Sequence, residues 1–176
     1  MKAEILTYSG KIFNILYPKA ELIDINDIAE SLAKQCRFNG HIKGFYSVAE
    51  HSVRCSSICK KYPLDALMHD AAEAYTGDIV APYKNIFPGM KAIEDHIYKV
   101  ICGVFGLRYP LPKEVDDVDK EIMLRIEQED LQWSNFDNTF EKTPTPIHYQ
   151  RITHGMEWEV ARDIFLSRFK DLTNDK

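Results

Sequence analysis

The four cysteines, Cys36, Cys55, Cys59 and Cys102, include no Cys-x-x-Cys pair. The knuckle that structural zinc prefers is therefore missing, and these residues read as buried free thiols of a reducing compartment. A basic excess is missing too: 22 Lys and Arg stand against 27 Asp and Glu, a net charge of −5, with both signs interspersed. An extended nucleic-acid footprint needs a basic face, so no polymeric nucleic acid is expected as partner, and an anionic partner must be small and locally neutralised. No uncharged run approaches the roughly 20 residues that span a bilayer, so no membrane segment is expected. The N-terminal stretch MKAEILTYSGKIFNIL is broken by polar residues and by Ser9-Gly10. It does not read as a signal peptide, and cytoplasmic residence is the expectation. Internal repeats and low-complexity tracts are absent as well.

What is present is a globular mixture. At 176 residues, 45% of them hydrophobic, the chain reads as a single domain over residues 1–176. A chain of this size buries roughly 70% of its unfolded surface. Its stability needs no metal, so a metal site would be functional.

The spacing predicts a mostly helical, all-α domain with a small N-terminal β-hairpin. Alternation of Ile5, Thr7, Ile12 and Asn14 about Ser9-Gly10 marks the hairpin. Asp24 or Asn26 can cap a first helix carrying Ile28, Leu32 and Cys36, with Gly40 as its stop. Further helices are expected over Val48 to Tyr62, Leu64 to Tyr75 after Pro63, Met90 to Phe105, Val115 to Trp133 and Glu157 to Phe169. Pro82 and Pro88 predict an irregular link before the helix at 90. Asn135 to Thr153, with Pro144 and Pro146, reads as a loop.

The chemistry concentrates in His51, His69-Asp70, Glu73, Asp78 and a carboxylate near 119. His69 and Asp70 are adjacent on a predicted helix, and both can reach an ion lying over a groove between helices. His51, on the preceding helix, can supply a third donor. Mixed imidazole and carboxylate donors suit Mn²⁺, Co²⁺ or Zn²⁺. Glu73 follows His69 by four residues, faces the same way and can orient or deprotonate a water. Asp78, just past the helix end, can serve the same water. In Ala66-Leu67-Met68-His69-Asp70-Ala71-Ala72-Glu73-Ala74-Tyr75 these polar groups are embedded among small and apolar residues, which suits a buried site better than a solvated face.

The stretches Arg37-Phe38-Asn39-Gly40-His41, Tyr46-Ser47-Val48-Ala49-Glu50-His51-Ser52-Val53 and Met68-His69-Asp70-Ala71-Ala72-Glu73-Ala74-Tyr75-Thr76-Gly77-Asp78 resemble the HD-domain metal-dependent phosphohydrolases. The match is to the bacterial 5′-deoxynucleotidase branch and related phage and prophage enzymes, and it extends over most of the chain. The resemblance implies an HD-type helical bundle and one divalent ion, Mn, Co, Zn or Mg, held by His51, His69, Asp70 and a distal Asp. Within Val115-Asp116-Asp117-Val118-Asp119 the distal ligand is best matched by Asp119, with Asp116 and Asp117 close by as acidic residues of a helix N-terminus. Glu73 and Asp78 match the catalytic carboxylates, Arg37 a phosphate-binding arginine, and Phe38 an aromatic beside the nucleoside. A guanidinium fork for phosphate and a ring for stacking are chemically apt. Bare sequence would instead make Phe38 a core residue and Arg37 a helix-end charge. Lys84 is a second candidate phosphate contact, or else a surface lysine. His41 is a candidate substrate residue able to protonate a leaving group. His96, His148 and His154 have no matching role.

The expected activity is hydrolysis of the 5′-phosphate ester of a deoxynucleoside monophosphate, by a protein that forms homo-oligomers. Release of triphosphate from a dNTP is the alternative reaction. A catalytically silent HD-fold nucleotide-binding or regulatory module is the alternative of another class. A cyclic-nucleotide phosphodiesterase would call for a further His pair, which the chain lacks.

Overall fold

The structure, a computed structural model, describes residues 3–122, 127–131, 152 and 154–174. Predictions at 123–126, at Trp133 and His148, and for most of the loop at 135–153 fall outside the described residues.

Strands β1 (Glu4–Leu6) and β2 (Ile12–Asn14) pair antiparallel, with Ile5 opposite Phe13. Gly10 takes φ +80° in the turn, where only glycine escapes the Cβ penalty. Side chains alternate across a strand, and the register makes Phe13, not Ile12, the inward residue: Phe13 is fully buried and Ile12 exposed. Phe13 stacks on Tyr75 with ring centroids 4.1 Å apart. Ser9 donates through its backbone N–H and its hydroxyl to buried Asp27. Together these contacts lock the hairpin onto the helices.

Helix α1 (Ile25–Lys34) is capped by Asp24, whose carboxylate accepts from the Asn26 N–H. It ends earlier than its apolar spacing predicts. Gln35 is extended and Cys36 bridges to Ser47, so Gly40 does not stop this helix. Gly40 closes a separate 3-10 turn, Arg37–Gly40, in which Phe38 and Asn39 have φ of 56° and 55°. Left-handed backbone is strained for Phe and clusters at functional sites.

Helix α2 (Val48–Ile58) starts where Ser47 accepts from the Glu50 N–H. The predicted helix at 64–75 is divided into α3 (Pro63–Leu67) and α4 (Glu73–Thr76), separated by turns at 68–72. Both prolines of the predicted link sit in first turns, where their missing N–H costs nothing. They open α5 (Ala81–Ile86) and the long α6 (Pro88–Phe105). Next come α7 (Lys113–Ile122), α8 (Gln128–Leu131) and α9 (Trp158–Asn174).

The main core gathers Phe13, Ile28, Leu32, Leu67, Met68, Ile97, Ile101 and Phe165. Alanines at 29, 33, 49 and 161 are fully buried and let α1, α2 and α9 approach closely, as close packing requires. A second cluster, with Tyr46, Cys55, Val115, Ile122 and Leu131, lies under α7. The chemistry-bearing residues fall along α2, the 68–72 turns and α7. Among the described residues no helix is long and apolar enough to cross a membrane.

Candidate metal centre

His51 lies one turn into α2 and is completely buried. Its Nδ1–H donates to Glu127 Oε1 at 2.5 Å. His69 stands in the turns between α3 and α4, and its Nδ1–H donates to the Ala66 carbonyl at 2.8 Å. A carbonyl or carboxylate can only accept, so both rings carry hydrogen on Nδ1 and turn Nε2 to a common point. The two Nε2 atoms are 3.3 Å apart.

Two carboxylates meet them there. Asp119 Oδ1 lies 3.0 Å from His51 Nε2 and 3.8 Å from His69 Nε2. Asp70 Oδ2 lies 3.2 Å from His69 Nε2 and 3.8 Å from His51 Nε2. Donors about 2.1 Å from one ion are separated by about 3.0 Å at a right angle and about 3.4 Å at the tetrahedral angle, so the shorter of these separations suit a single shell, although Asp70 is not one of the donors that converge most closely. Cys55, one turn after His51, places Sγ 3.4 Å from His51 Nε2. One donor atom each from His51, Cys55, His69 and Asp119 falls within 4.8 Å of the others. This buried His, Cys, His and Asp cluster can hold a metal ion. All four cysteines are free thiols, and Cys55 belongs to the site instead of to inert core.

The turns at 68–72 explain how neighbours in sequence converge. The Ala71 N–H bonds to the Met68 carbonyl and the Glu73 N–H to the Asp70 carbonyl, the i to i−3 pattern of a tighter winding than an α-helix. In a continuous helix the Ala66 carbonyl would serve the Asp70 N–H; here it serves the His69 ring. Asp119 is chosen from its acidic neighbours by its position relative to the apolar face. It lies four residues after Val115 and three before Ile122, both fully buried. Asp116 and Asp117 pair outward with Lys120 and Lys113.

Burial and Arg37 alone would lower the His51 pKa, but Cys55, Glu127 and Asp119 raise it well above the ordinary value. Burial works against His69 in the same way, and Asp70 and Asp119 raise it. Burial opposes ionisation of Asp119, yet hydrogen bonds from the two histidines hold it well below the usual carboxylate range. Asp70, buried but beside His69 and His51, is lowered to about 2. The centre thus demands positive charge, as protons or as a cation. An ion competes with protons for imidazoles whose pKa values are raised, so its apparent affinity should rise with pH. Calorimetry near pH 7 in buffers of different ionisation enthalpy should find about one to two protons released per Zn²⁺ or Mn²⁺ bound. Binding without proton release would contradict this electrostatic picture.

Beside the centre lies a cavity of about 250 Å³ lined by His69, Asp70, Glu73, Lys84, Glu94 and Tyr98 among others. Glu73 is buried with Oε1 3.0 Å from Lys84 Nζ and Oε2 without a partner among the described residues. Burial first, then the charges of Asp70 and Asp78, push its pKa well up despite Lys84. Asp78 has a buried Oδ2 without a partner among the described residues, and its pKa is raised chiefly by burial. Lys84 is half-buried between Glu73 and Glu94, not a free surface lysine. Arg37 is buried, with Nε 3.1 Å from Glu127 Oε2 and Nη1 3.4 Å from Asp70 Oδ2. Its guanidinium also lies 5.4 Å from the centre of the half-buried Phe38 ring. His41 is exposed at the end of the same turn, and its ring has no partner among the described residues.

Three site residues escape sequence reasoning. Glu127 is one acid among several near 127–130, and helical periodicity does not single it out. Glu94 sits beside the Ile93 and Ile97 stripe, a carboxylate at the edge of an apolar face that could have been flagged. Gln35 reads as an ordinary helix end. In fact its Nε2–H donates to the Glu73 carbonyl and its Oε1 accepts the Asp78 N–H, which fixes α4 and both carboxylates against α1.

No protein-family model matches the chain. It is 34% identical over 137 residues to the uncharacterized protein RCAP_rcc00048 of Rhodobacter capsulatus, covering 70% of each. It is 40% identical over 172 residues to the uncharacterized protein YfdR of Escherichia coli, covering 96% of this chain and 95% of that one. The chain therefore belongs to the family of Escherichia coli YfdR.

Proposed function

We propose that this protein is a metal-dependent phosphohydrolase of the HD-domain type, hydrolysing the 5′-phosphate ester of a deoxynucleoside monophosphate. The observation that carries the reading is the juxtaposition of two kinds of buried group. His51 and His69 present Nε2 atoms to Asp70 and Asp119, while Glu73, which lines the adjoining cavity, keeps a buried oxygen without a partner among the described residues. Structural metal sites are closed and need no neighbouring base, so a buried carboxylate of raised pKa beside the donors points to hydrolysis.

His51, His69, Asp70 and Asp119 would hold the ion, with Cys55 as the adjacent thiol. A divalent ion there supplies Lewis acidity toward a phosphoryl oxygen and makes water more acidic. Glu73 accepts the proton of the attacking water at Oε2 while Lys84 fixes Oε1. The water oxygen bonds to phosphorus as the bond to O5′ breaks. Asp78, whose pKa burial raises, is placed to carry the proton the leaving oxygen needs. Arg37 neutralises charge on the phosphoryl oxygens, held at Nε by Glu127 and at Nη1 by Asp70, with Nη2 left to donate. Phe38 offers a stacking face, and the cavity beside Tyr98 and Leu111 is suited to the nucleoside.

The test is turnover of the purified protein with Mn²⁺, Co²⁺, Mg²⁺ or Zn²⁺ against deoxynucleoside monophosphates, dNTPs and cyclic nucleotides. The expected product is orthophosphate from monophosphates. Tripolyphosphate from dNTPs would replace this substrate assignment, and no turnover under any ion would overturn the enzymatic reading.

A further inference from the structure

We infer that Glu127 is a positioning residue that orients the metal ligand His51 and the phosphate-binding Arg37 with one carboxylate, so that ion and phosphate sites are built as a unit. The inference rests on the metal reading above and extends it to a residue that touches neither ion nor substrate. Glu127 is completely buried. Its Oε1 accepts from His51 Nδ1–H and its Oε2 from Arg37 Nε–H at 3.1 Å. Each oxygen thus serves one functional side chain.

The bond to Nδ1 has two consequences. It holds hydrogen on the nitrogen remote from the donors, leaving Nε2 as the ligand atom, and it prevents rotation of the ring about its Cβ–Cγ bond. An anionic acceptor also makes the imidazole a stronger donor toward a cation. On the other oxygen, the Nε bond holds the guanidinium with Nη1 toward Asp70, which is itself at the centre. A planar guanidinium held by one edge keeps its other N–H groups at fixed directions, the condition for a two-point grip on phosphate. Asp70 Oδ2 also approaches both, at 3.8 Å from His51 Nε2 and 3.4 Å from Arg37 Nη1, but among the described residues only Glu127 hydrogen-bonds the His51 ring and Arg37 together. The carboxylate also crosses the fold: it comes from the segment before α8, whereas His51 comes from α2 and Arg37 from the turn after α1. One carboxylate from this segment therefore takes part in both sites.

The experiment compares wild type with Glu127→Gln and Glu127→Ala, using Zn²⁺ and Mn²⁺ titration by calorimetry on the folded apoproteins and inorganic phosphate as competitive inhibitor at saturating metal. Gln keeps the shape and an acceptor for Nδ1–H but loses the charge. Metal affinity should fall by about 10-fold in Glu127→Gln and by about 100-fold in Glu127→Ala, the range for lost support of a ligand. Phosphate inhibition should weaken in both variants even when metal saturates, which a role confined to His51 would not produce. Glu127→Gln, nearly isosteric, keeps the test open if the alanine variant does not fold. Unchanged ion affinity in folded Glu127→Gln, with only a lowered Tm, would overturn the inference and leave the metal site standing. A wild-type protein that binds neither ion would overturn the metal reading itself and this inference with it.

Discussion

Asp70→Ala should lose tight metal binding and lower turnover by about three orders of magnitude or more. Asp70 Oδ2 approaches His69 Nε2, His51 Nε2 and Arg37 Nη1 within 3.2, 3.8 and 3.4 Å. One substitution thus removes a proposed donor to the ion and the carboxylate bonded to the guanidinium. Loss of a single preorganised electrostatic group typically costs about 10²–10³ in rate, and here two functions share one oxygen. Metal content after dialysis and turnover at saturating Mn²⁺ are the measurements. A variant that keeps stoichiometric ion and more than a tenth of the rate would exclude Asp70 from the centre.

Glu73→Gln should separate rate from binding. The amide keeps the volume and a hydrogen-bond acceptor for Lys84, but it cannot take a proton from water. Turnover should fall by about 10²–10⁴, the range for a removed general base, with metal affinity unchanged. Its effect on stability has a definite sign. A carboxyl whose pKa is raised in the folded state, here by burial and by Asp70 and Asp78, is a group that folding prefers to keep protonated. It destabilises progressively as pH rises from the unfolded-state value through the raised folded value. The uncharged amide escapes that penalty, so the Tm of Glu73→Gln should equal or exceed that of wild type at pH 8 and converge with it in acid. Full activity in Glu73→Gln would remove Glu73 from the chemistry, and an equal loss of metal would recast it as a ligand.

These two residues also show how far sequence reaches. The block from Ala66 to Tyr75 is rich in good helix formers, so local propensity predicts an unbroken helix. In such a helix His69 and Glu73 would share a face by their four-residue spacing. The chain instead tightens at 68–72, and the His69 ring takes the Ala66 carbonyl. This bond competes with the helical one, and what favours it is the set of partners His69 meets at Nε2, which come from α2 and α7. Propensity cannot register partners that lie 18 and 50 residues away. The early end of α1 has the same kind of cause. Gln35 leaves the helix because its amide is engaged by Glu73 and Asp78 and Cys36 pairs with Ser47.

By itself, the sequence determined the elements whose signals are local. Asp24 caps the helix it precedes, Pro63 opens its own, and Ser9-Gly10 turns the hairpin, whereas Pro88, read as part of an irregular link, opens α6 instead. The polar set at 69, 70 and 73, embedded among small and apolar residues, also stood out, because buried charge among apolar residues is costly enough to be rare without purpose. Tertiary structure supplied the physical reason why Asp119, which the resemblance preferred to Asp116 and Asp117, faces inward. It also placed Cys55 against the donors, clamped Lys84 between Glu73 and Glu94, and made Glu127 the shared support of His51 and Arg37. The physical reason is range. Capping and turn preferences act within a few residues and are written in adjacent letters. The orientation of an imidazole or a guanidinium is set by whichever acceptor packing brings within 3 Å, and here that acceptor comes from 76 and 90 residues further along the chain.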